Sequence, residues 1–276
     1  MIDVYYINLD QAIERKKNLE QNLSKFKDDN FKVIRVNATN VNYILENNIK
    51  GSIRDSEKAC FISHTNAIKL SLENENACFI IEDDAIFGPS TKLITDILKN
   101  IDETIDLIFT DICIPDIHDM VNLFFLRKRC VKSKNFIYLD LLKLSAFAGA
   151  SAYLIPNKSK KKVFELIQNY KKLDMPYDLF LRQCIYNNSL NGIAIFPFLT
   201  SLSKDSLFTQ NQLSETKIKD LSWDTFRRFM FADSEQIDFD FMSLLSENIE
   251  KNFYDSQSEN FTKILKVILS EKFSLK

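Results

Sequence analysis

The sequence feature that most constrains the fold is an unbroken apolar segment that ends abruptly in acidic residues. Residues 77–81 read Ala-Cys-Phe-Ile-Ile, and Glu82, Asp83 and Asp84 follow directly. An apolar run without alternation is typical of a central parallel strand that is covered on both faces. In open α/β sheets, ligands bind beyond the carboxyl ends of such strands. The segment therefore predicts an α/β sheet with a functional edge that carries these carboxylates.

Strand and helix patterns alternate along most of the chain, which predicts a parallel or mixed sheet covered by helices on both faces. Further strands are predicted at residues 2–9, 31–36, 107–110, 136–139, 148–155 and 193–196. Helices are predicted at residues 12–26, after Ser56 as the N-terminal cap, and at residues 91–99, 158–170 and 179–186. Beyond about residue 201 the spacing is helical, at residues 223–232, 239–248 and 260–273. We therefore predict an α/β domain at residues 1–210 and a helical C-terminal region at residues 211–276.

Composition and charge exclude several classes of protein. With 45% hydrophobic residues, four glycines and five prolines, the chain is typical of an ordered globular protein rather than a disordered or fibrous one. Its net charge of -2 lacks the positive excess of a nucleic-acid-binding protein, so we expect no nucleic-acid partner. The five cysteines are scattered without a C-x-x-C motif, and the chain has two histidines. We therefore expect no zinc site, and a reducing compartment.

No segment of the sequence predicts a membrane-spanning helix. The N-terminal residues are typical of a strand rather than of a secretion signal. The longest apolar segment, residues 146–155, has 10 residues, about half of the roughly 20 that a transmembrane helix needs. We therefore expect a cytoplasmic protein.

Basic residues form two local clusters and a C-terminal amphipathic pattern. The clusters lie at residues 127–134 and 158–162, and the amphipathic pattern covers residues 257–276. Such segments are usually solvated faces, or helices that pack on their own domain, and this interpretation is favoured. Peripheral contact with an anionic membrane, at the inner face of the cytoplasmic membrane, stays open as the alternative.

The acidic triplet is a candidate metal site. Adjacent carboxylates at the end of a buried strand repel one another and lose hydration, and a divalent cation offsets both costs. If the strand geometry continues, Glu82 and Asp84 lie on one side and Asp83 on the other. Such a pair can hold Mg²⁺ or Mn²⁺ beside a diphosphate. A solvated loop or helix cap is the alternative, and the motif alone leaves both open.

The corner between the first strand and the first helix is a candidate nucleotide site. Asn8, Leu9 and Asp10 end the predicted strand, and Arg15 lies in the first turns of the helix that follows. Strand-to-helix corners of this kind present polar groups to nucleotides, and an arginine can bind phosphate in a bidentate manner. In isolation, the interpretation of Asp10 as a helix N-cap with an exposed basic helix face is favoured.

Three other polar residues are candidates for chemistry. His64 lies on the predicted Ser56 helix, about two turns after Glu57, where a lone histidine is more often a packed residue than a catalyst. His118 lies in a loop-like segment and is no stronger a candidate. Asp178 follows Pro176 at the start of a predicted helix, where it is either a helix cap or a general base for a hydroxyl group.

Taken in order, these segments resemble glycosyltransferase family 25. The resemblance is carried by three motifs: residues 7–10 (Ile-Asn-Leu-Asp) with Glu14 and Arg15, residues 57–64 (Glu-Lys-Ala-Cys-Phe-Ile-Ser-His), and residues 79–84 (Phe-Ile-Ile-Glu-Asp-Asp). It continues more weakly through residues 149–155, Asp178 and residues 196–197, and covers about residues 1–210. Family members typically carry a glycine-containing step before the cysteine, and this chain has Lys58 and Ala59 there instead.

This resemblance implies a GT-A-like, Rossmann-type fold and an inverting transfer of a hexose, often galactose, from a UDP-sugar. The implied acceptor is a lipooligosaccharide or a related glycan, and the implied cofactor is Mn²⁺ or Mg²⁺. It implies that Asp84 contacts the metal directly, with Glu82 as the second or water-mediated ligand. Asp178 is implied as the general base because it lies in the proline-aspartate segment of the resemblance. The implied donor-binding residues are Asn8, Leu9, Asp10, Arg15, His64, Glu82 and Asp83.

Two other functions stay open on the sequence alone. Clustered carboxylates at strand ends also serve other metal-dependent phosphate or nucleotide enzymes. A catalytically inactive relative that binds lipid or glycan is the second alternative, since Lys58 and Ala59 depart from the family pattern.

Overall fold

The computed structural model describes residues 1–133, 135–204, 206 and 218–234 of the chain. The strands are β1 (Ile2–Asn8), β2 (Phe31–Asn37), β3 (Ala77–Glu82), β4 (Ala85–Phe87), β5 (Leu107–Phe109), β6 (Ile137–Asp140), β7 (Ala152–Ile155), β8 (Gly192–Phe196) and β9 (Thr200–Leu202). The helices are α1 (Ile13–Phe26), α2 (Val41–Glu46), α3 (Asp55–Ser71), α4 (Ile94–Asn100), α5 (Ile117–Ser133), α6 (Asn157–Asn169), α7 (Tyr177–Tyr186) and α8 (Ile218–Phe229).

The main sheet has seven strands in the order β2-β1-β3-β7-β5-β8-β6. Strands β2, β1 and β3 are parallel to one another, and β5 and β8 run in the same direction as these three. Strands β7 and β6 run in the opposite direction and are antiparallel to their neighbours. A separate two-stranded sheet pairs β4 with β9. The predicted α/β class with a mixed sheet is thus confirmed.

The sheet is covered on both faces because the side chains of its strands alternate between two hydrophobic cores. In β1, Tyr5 and Ile7 belong to the first core, whereas Val4 and Tyr6 belong to the second. Successive side chains of a strand point to opposite faces, so the two cores lie on opposite sides of the sheet. Helix α3 packs its apolar residues into the first core and α1 into the second.

This arrangement places a topological switch point between β1 and β3. The chain leaves β1 through α1 on one face, forms β2, and returns to β3 through α3 on the other face. In the parallel pairing of the two strands, Ile7 lies opposite Glu82. The carboxyl ends of β1 and β3 therefore open side by side, which is where ligands of open α/β sheets bind.

Several local predictions differ from the structure. Helix α3 begins one residue before Ser56, and Arg54 is its N-cap. The strand predicted at residues 148–155 is shortened to Ala152–Ile155, because Gly149 takes a positive φ of 89° that interrupts extended backbone. The loop predicted around His118 is instead the start of α5, which also contains most of the first basic cluster.

The sequence did not predict helix α5, because apolar residues outside its buried face obscure the helical period. Met120, Leu123 and Phe124 have helical spacing and are buried, but Val121, Phe125 and Leu126 are also apolar, and Phe125 is 53% exposed. The short helix α2 was also missed. The helices predicted at residues 239–248 and 260–273 lie outside the described residues. No helix in the described parts of the chain combines the length and apolarity needed to cross a bilayer.

Candidate active site

Two adjoining cavities open at the carboxyl ends of β1 and β3. The smaller, of about 120 Å³, is called the β1 cavity and is lined by Ile7, Asn8, Leu9, Arg15, Ala38, Thr39, Ser56, Ala59, Cys60, Ser63, His64, Glu82 and Asp83. The larger, of about 340 Å³, is called the α7 cavity and is lined by Glu57, Cys60, His64, Glu82, Asp84, Gly149, Ala150, Ser151, Pro176, Tyr177, Asp178, Leu202, Ser206, Asp224 and Arg227. Because Cys60, His64 and Glu82 line both, the cavities form one continuous cleft.

The acidic triplet divides between the two cavities. Glu82 lines both, Asp83 lines the β1 cavity and Asp84 lines the α7 cavity. Asp83 accepts a hydrogen bond of 2.7 Å from the Asn8 side chain and forms an ion pair of 2.6 Å with Arg15. Arg15 also lies 3.2 Å from Asp84 Oδ2. The guanidinium of Arg15 thus offsets part of the repulsion within the triplet.

Asp10 lies outside this cleft, although the first strand and the first helix meet there. Its carboxylate binds Arg35 at 2.8 Å and Asn37 at 2.9 Å, and its side chain is 67% exposed. The hydrogen bond from Arg35, with that from Asn37, lowers the pKa of Asp10. Asp10 is not the helix cap either, because Ala12 is the N-cap of α1. The structure therefore connects Asp10 with β2 rather than with either cavity.

A chain of hydrogen bonds through buried side chains fixes the position of the Glu82 carboxylate. Glu82 Oε1 lies 3.1 Å from His64 Nε2, His64 Nδ1 lies 3.1 Å from the Tyr153 hydroxyl, and that hydroxyl lies 2.7 Å from the hydroxyl of Tyr177. An ionised carboxylate only accepts hydrogen bonds, so Nε2 donates to Glu82 and Nδ1 accepts from Tyr153. Tyr153 in turn accepts from Tyr177. The orientation of the whole chain is therefore set by the charge of Glu82.

Burial and ring stacking hold the His64 side chain in the orientation that positions Glu82. It is 1% exposed, and its ring stacks on Tyr177 with centroids 4.4 Å apart and planes 9° apart. Burial raises the pKa of Glu82, but the hydrogen bond from His64, with the charges of Arg15 and Arg227, outweighs this and lowers that pKa below the ordinary value. Glu82 therefore stays ionised in the cleft near neutral pH.

Asp84 has the opposite electrostatic environment. It is 3% exposed, and burial, followed by the charge of Glu82, raises its pKa to about 7. Its Oδ1 atom is buried without a hydrogen-bond partner among the described residues. A buried carboxylate oxygen without a donor points to a missing positive partner. Carboxylate oxygens are the ligands that Mg²⁺ and Mn²⁺ prefer, so Asp84 and Glu82 suit such an ion.

Asp178 also lines the α7 cavity and lies in the first turn of α7. Pro176 is the N-cap of that helix, so Asp178 does not cap it. The Asp178 carboxylate instead accepts a hydrogen bond of 2.8 Å from the backbone N–H of Gly149. This bond orients one carboxylate oxygen and leaves the side chain facing the cavity.

Arg227 of α8 supplies a cavity residue that sequence reasoning missed. It is 5% exposed, its Nε and Nη2 atoms lie 2.7 and 2.6 Å from Asp111 Oδ2, and it also donates to Ser151. A Cβ atom at Gly149 would lie 3.4 Å from Arg227 Nη1. Nothing in the local sequence marks Arg227, because its role depends on α8 bringing it to Asp111 and Ser151, which are distant along the chain.

Most predicted site residues thus come together, and two do not. Those that line the cleft are Asn8, Leu9, Arg15, His64, Glu82, Asp83, Asp84 and Asp178. Asp10 and His118 line neither cavity.

The sequence profile of the family described as "Glycosyltransferase family 25 (LPS biosynthesis protein)" matches residues 1–181. The match includes the entire wall of the β1 cavity and Asp178, but it ends before Arg227. A Haemophilus influenzae (strain ATCC 51907 / DSM 11121 / KW20 / Rd) protein named "Putative glycosyltransferase" is 29% identical over 182 residues. That alignment covers 63% of this chain and 60% of the relative, so the chain spans about three fifths of the relative's length.

Two solved structures show weaker similarity. Mouse xyloside xylosyltransferase 1 in its apo form is 9% identical, with 69% of this chain and 71% of that chain covered and a TM-score of 0.39. The apo-form glycosyltransferase GlyE of Streptococcus pneumoniae TIGR4 is 12% identical, with 99% and 63% covered and a TM-score of 0.40. At these TM-scores, neither structure bears on the function of this chain.

Proposed function

The chain belongs to glycosyltransferase family 25, and we propose that it transfers a hexose, with galactose as the first candidate, from a UDP-sugar to a hydroxyl of a lipooligosaccharide or related glycan. The transfer inverts the anomeric centre and uses Mn²⁺ or Mg²⁺. The observation that carries the proposal is the buried Asp84 Oδ1, which lacks a partner among the described residues and lies in a cleft at the β1/β3 switch point.

The β1 cavity is the proposed site of the nucleotide. It lies at the switch point, and Asn8, Leu9 and Arg15 line it. The Nε atom of Arg15 is buried without a partner among the described residues, so the guanidinium retains a donor beyond its contacts to the triplet. An arginine with a donor to spare can bind a phosphate oxygen. The continuity of the cleft lets a diphosphate extend from the β1 cavity toward Asp84.

The carboxylates of Asp84 and Glu82 are the proposed metal ligands, with Asp84 in direct contact and Glu82 as the second or water-mediated ligand. A bound divalent cation supplies charge neutralisation for the departing diphosphate. His64 prevents Glu82 from rotating away, since its ring is fixed by both Tyr153 and Tyr177. The protein therefore presents two preorganised carboxyl groups, and a cation relieves the repulsion between them when both are ionised.

The α7 cavity is the proposed site of the acceptor, and Asp178 is the proposed general base. The acceptor oxygen forms a bond to the anomeric carbon while the bond between that carbon and the β-phosphate oxygen breaks, and the hydroxyl proton passes to Asp178. Attack from the α7 side and departure toward the β1 side invert the anomeric centre. The hydrogen bond from Gly149 to one oxygen of Asp178 leaves the other available for the hydroxyl.

Contact with an anionic membrane is a further part of the proposal, because a glycolipid acceptor is embedded in one. Lys161 of the second basic cluster supports it, with a side chain that is 82% exposed. Arg127 of the first cluster is instead used internally, since it donates to Phe231 O and Ser234 Oγ. The C-terminal amphipathic segment lies outside the described residues.

The proposal is tested by calorimetric titration of UDP into the protein with Mn²⁺ and with EDTA, repeated for Asp84→Asn. We expect binding with Mn²⁺ that is lost in EDTA and weakened at least tenfold in the variant. Asp96→Asn, at an exposed position of helix α4, is the matched control and should bind like the wild type. Equal affinity in EDTA would refute metal dependence. Absence of UDP binding under all conditions would refute the UDP-sugar donor.

A further inference from the structure

Three side chains of different chemistry converge where the β1 and α7 cavities meet. Cys60 Sγ lies 3.8 Å from Glu82 Oε1, and His64 Nε2 lies 3.1 Å from the same oxygen. All three atoms lie within 4.8 Å of one another. Cys60 and His64 are four residues apart on α3, so they share one helix face, and Glu82 ends the adjacent strand β3.

The spacing of these atoms is close to that of a tetrahedral metal site. With bonds of about 2.3 Å to sulfur and about 2.0–2.2 Å to nitrogen and oxygen, a tetrahedral ion separates its ligand atoms by roughly 3.3–3.7 Å. The distances from Glu82 Oε1 to Cys60 Sγ and His64 Nε2, 3.8 and 3.1 Å, deviate little from this range.

The surroundings contain the other parts that such a site needs. The Tyr153 hydroxyl lies 3.1 Å from His64 Nδ1, so the nitrogen that would not bind the ion already has a buried partner. All three ligands line both cavities, which provides an entry path and room for a water at the fourth position. The nearby carboxylates of Glu57, Asp84 and Asp178 also line the α7 cavity and make it attractive to cations.

We propose that Cys60, His64 and Glu82 form a second metal site, selective for a thiophilic divalent ion such as Zn²⁺, which shares Glu82 with the oxygen-ligand site at Asp84 and therefore excludes an ion bound there through Glu82. A thiolate and an imidazole suit Zn²⁺, whereas Mg²⁺ prefers oxygen ligands. The expectation of no zinc site rested on scattered cysteines. This ligand set needs one cysteine, because the other two ligands come from the same helix face and from the end of β3.

Binding of the ion releases one proton and rearranges the buried hydrogen bonds. The Cys60 thiol releases its proton to solvent and binds as thiolate. His64 Nε2 exchanges its hydrogen bond to Glu82 for the ion, and the imidazole proton moves to Nδ1, which then donates to Tyr153. Tyr153 in turn donates to Tyr177, so the buried chain reverses its direction without losing a bond. Glu82 becomes a ligand, and occupancy of this site therefore withdraws it from the site at Asp84.

The test is a spectroscopic titration of the full-length protein with Co²⁺, without UDP or sugar, so its outcome is independent of the donor proposal. We expect one thiolate-to-cobalt charge-transfer band that saturates at one ion per chain, together with visible bands of tetrahedral intensity. Equimolar Zn²⁺ should abolish the bands, and an excess of Mg²⁺ should not.

Two cysteine variants assign the ligand. Cys60→Ala should lose the charge-transfer band, whereas Cys130→Ala, which removes a buried thiol from α5, should retain it. His64→Gln should weaken Co²⁺ binding at least tenfold, and circular dichroism establishes that each variant is folded. Absence of the band in the wild type, or its persistence in folded Cys60→Ala, would overturn the proposal.

Discussion

The side-chain amide of Asn8 donates a hydrogen bond of 2.7 Å to Asp83 Oδ2 and thereby joins the carboxyl ends of β1 and β3. Asn8 is 1% exposed and also receives a hydrogen bond of 3.2 Å from Arg35. Asp83 is thus directed toward β1 and Arg15. The consequence is that the middle carboxylate is bound by protein groups, whereas Glu82 and Asp84 face the α7 cavity.

Replacement of Asn8 is expected to damage both stability and nucleotide binding. Asn8→Ala leaves Asp83 with one fewer donor in a buried position, which costs about 1–3 kcal/mol. Urea unfolding measures this cost, and calorimetry should show weaker UDP binding. Asp10→Ala is the comparison, because Asp10 is exposed and outside the cleft; it should change UDP affinity less than twofold. A large effect of Asp10→Ala alone would restore Asp10 as a donor ligand.

The raised pKa of Asp84, about 7, predicts a pH-dependent stability. Because the folded pKa lies above the ordinary value of 3.8, the folded state holds the proton more tightly, and stability falls as the pH rises from about 4 to about 7. Asp84→Asn cannot ionise, so we expect it to match the wild type near pH 4. Above pH 7 it should be more stable, by on the order of a few kcal/mol.

Chemical denaturation of both proteins between pH 4 and pH 8 measures this difference. Addition of Mn²⁺ should stabilise the wild type above pH 7 and have little effect on Asp84→Asn, since the ion binds the ionised carboxylate. A difference between the two proteins that does not change with pH would contradict the assignment of the raised pKa to Asp84.

His64 is expected to act through the position of Glu82. His64→Leu removes the donor to Glu82, whose side chain is 33% exposed, and the acceptor for the buried Tyr153 hydroxyl, which keeps its bond to Tyr177, so we expect a loss of about 1–3 kcal/mol. His64→Gln retains a donor and should recover part of this stability. In both variants we expect a weaker affinity for Mn²⁺, measured by titration in the presence of UDP. Unchanged Mn²⁺ affinity in a folded variant would mean that His64 supports the fold alone.

Asp178 is expected to affect the chemical step rather than donor binding. Asp178→Asn keeps the hydrogen bond from Gly149 but removes the base, which lowers kcat by about 10²–10⁴-fold. Calorimetric UDP affinity should stay within about twofold of the wild type, which provides an internal control for folding. The assay is transfer from UDP-galactose to a truncated glycolipid. A loss of UDP binding that matches the loss of rate would place Asp178 in the donor site instead.

The local sequence pattern was sufficient to predict those parts of the site that depend on a single strand and its end. The run before Glu82 specifies a buried strand that ends in carboxylates, and residues 2–8 specify a first strand that ends at Asn8, so each strand end could be predicted without knowledge of distant contacts. The role of Asp10 as a donor ligand was inferred from proximity along the chain and stays a prediction. Its neighbour in space is Arg35 on β2, and only strand pairing determines that contact.

The rest could not be predicted because it depends on contacts between distant segments. The partners of His64 are Glu82, Tyr153 and Tyr177, which lie on three other elements, and no spacing in the sequence relates them. Asp111 and Arg227 are 116 residues apart and meet only after α8 packs against the sheet. Buried ion pairs of this kind carry no local pattern, since each residue alone resembles a surface charge.

The buried pair of Arg227 and Asp111 provides the most direct test of how α8 completes the cleft. Arg227→Met leaves Asp111, which is 0% exposed, as an uncompensated charge and should destabilise the protein by about 3–5 kcal/mol. Asp111→Leu combined with Arg227→Met removes both charges and should recover much of that loss. Urea unfolding of the single and double variants measures the coupling. If Arg227→Met were as stable as the wild type, α8 would not hold Arg227 against Asp111 in solution, and Arg227 would not belong to the wall of the α7 cavity.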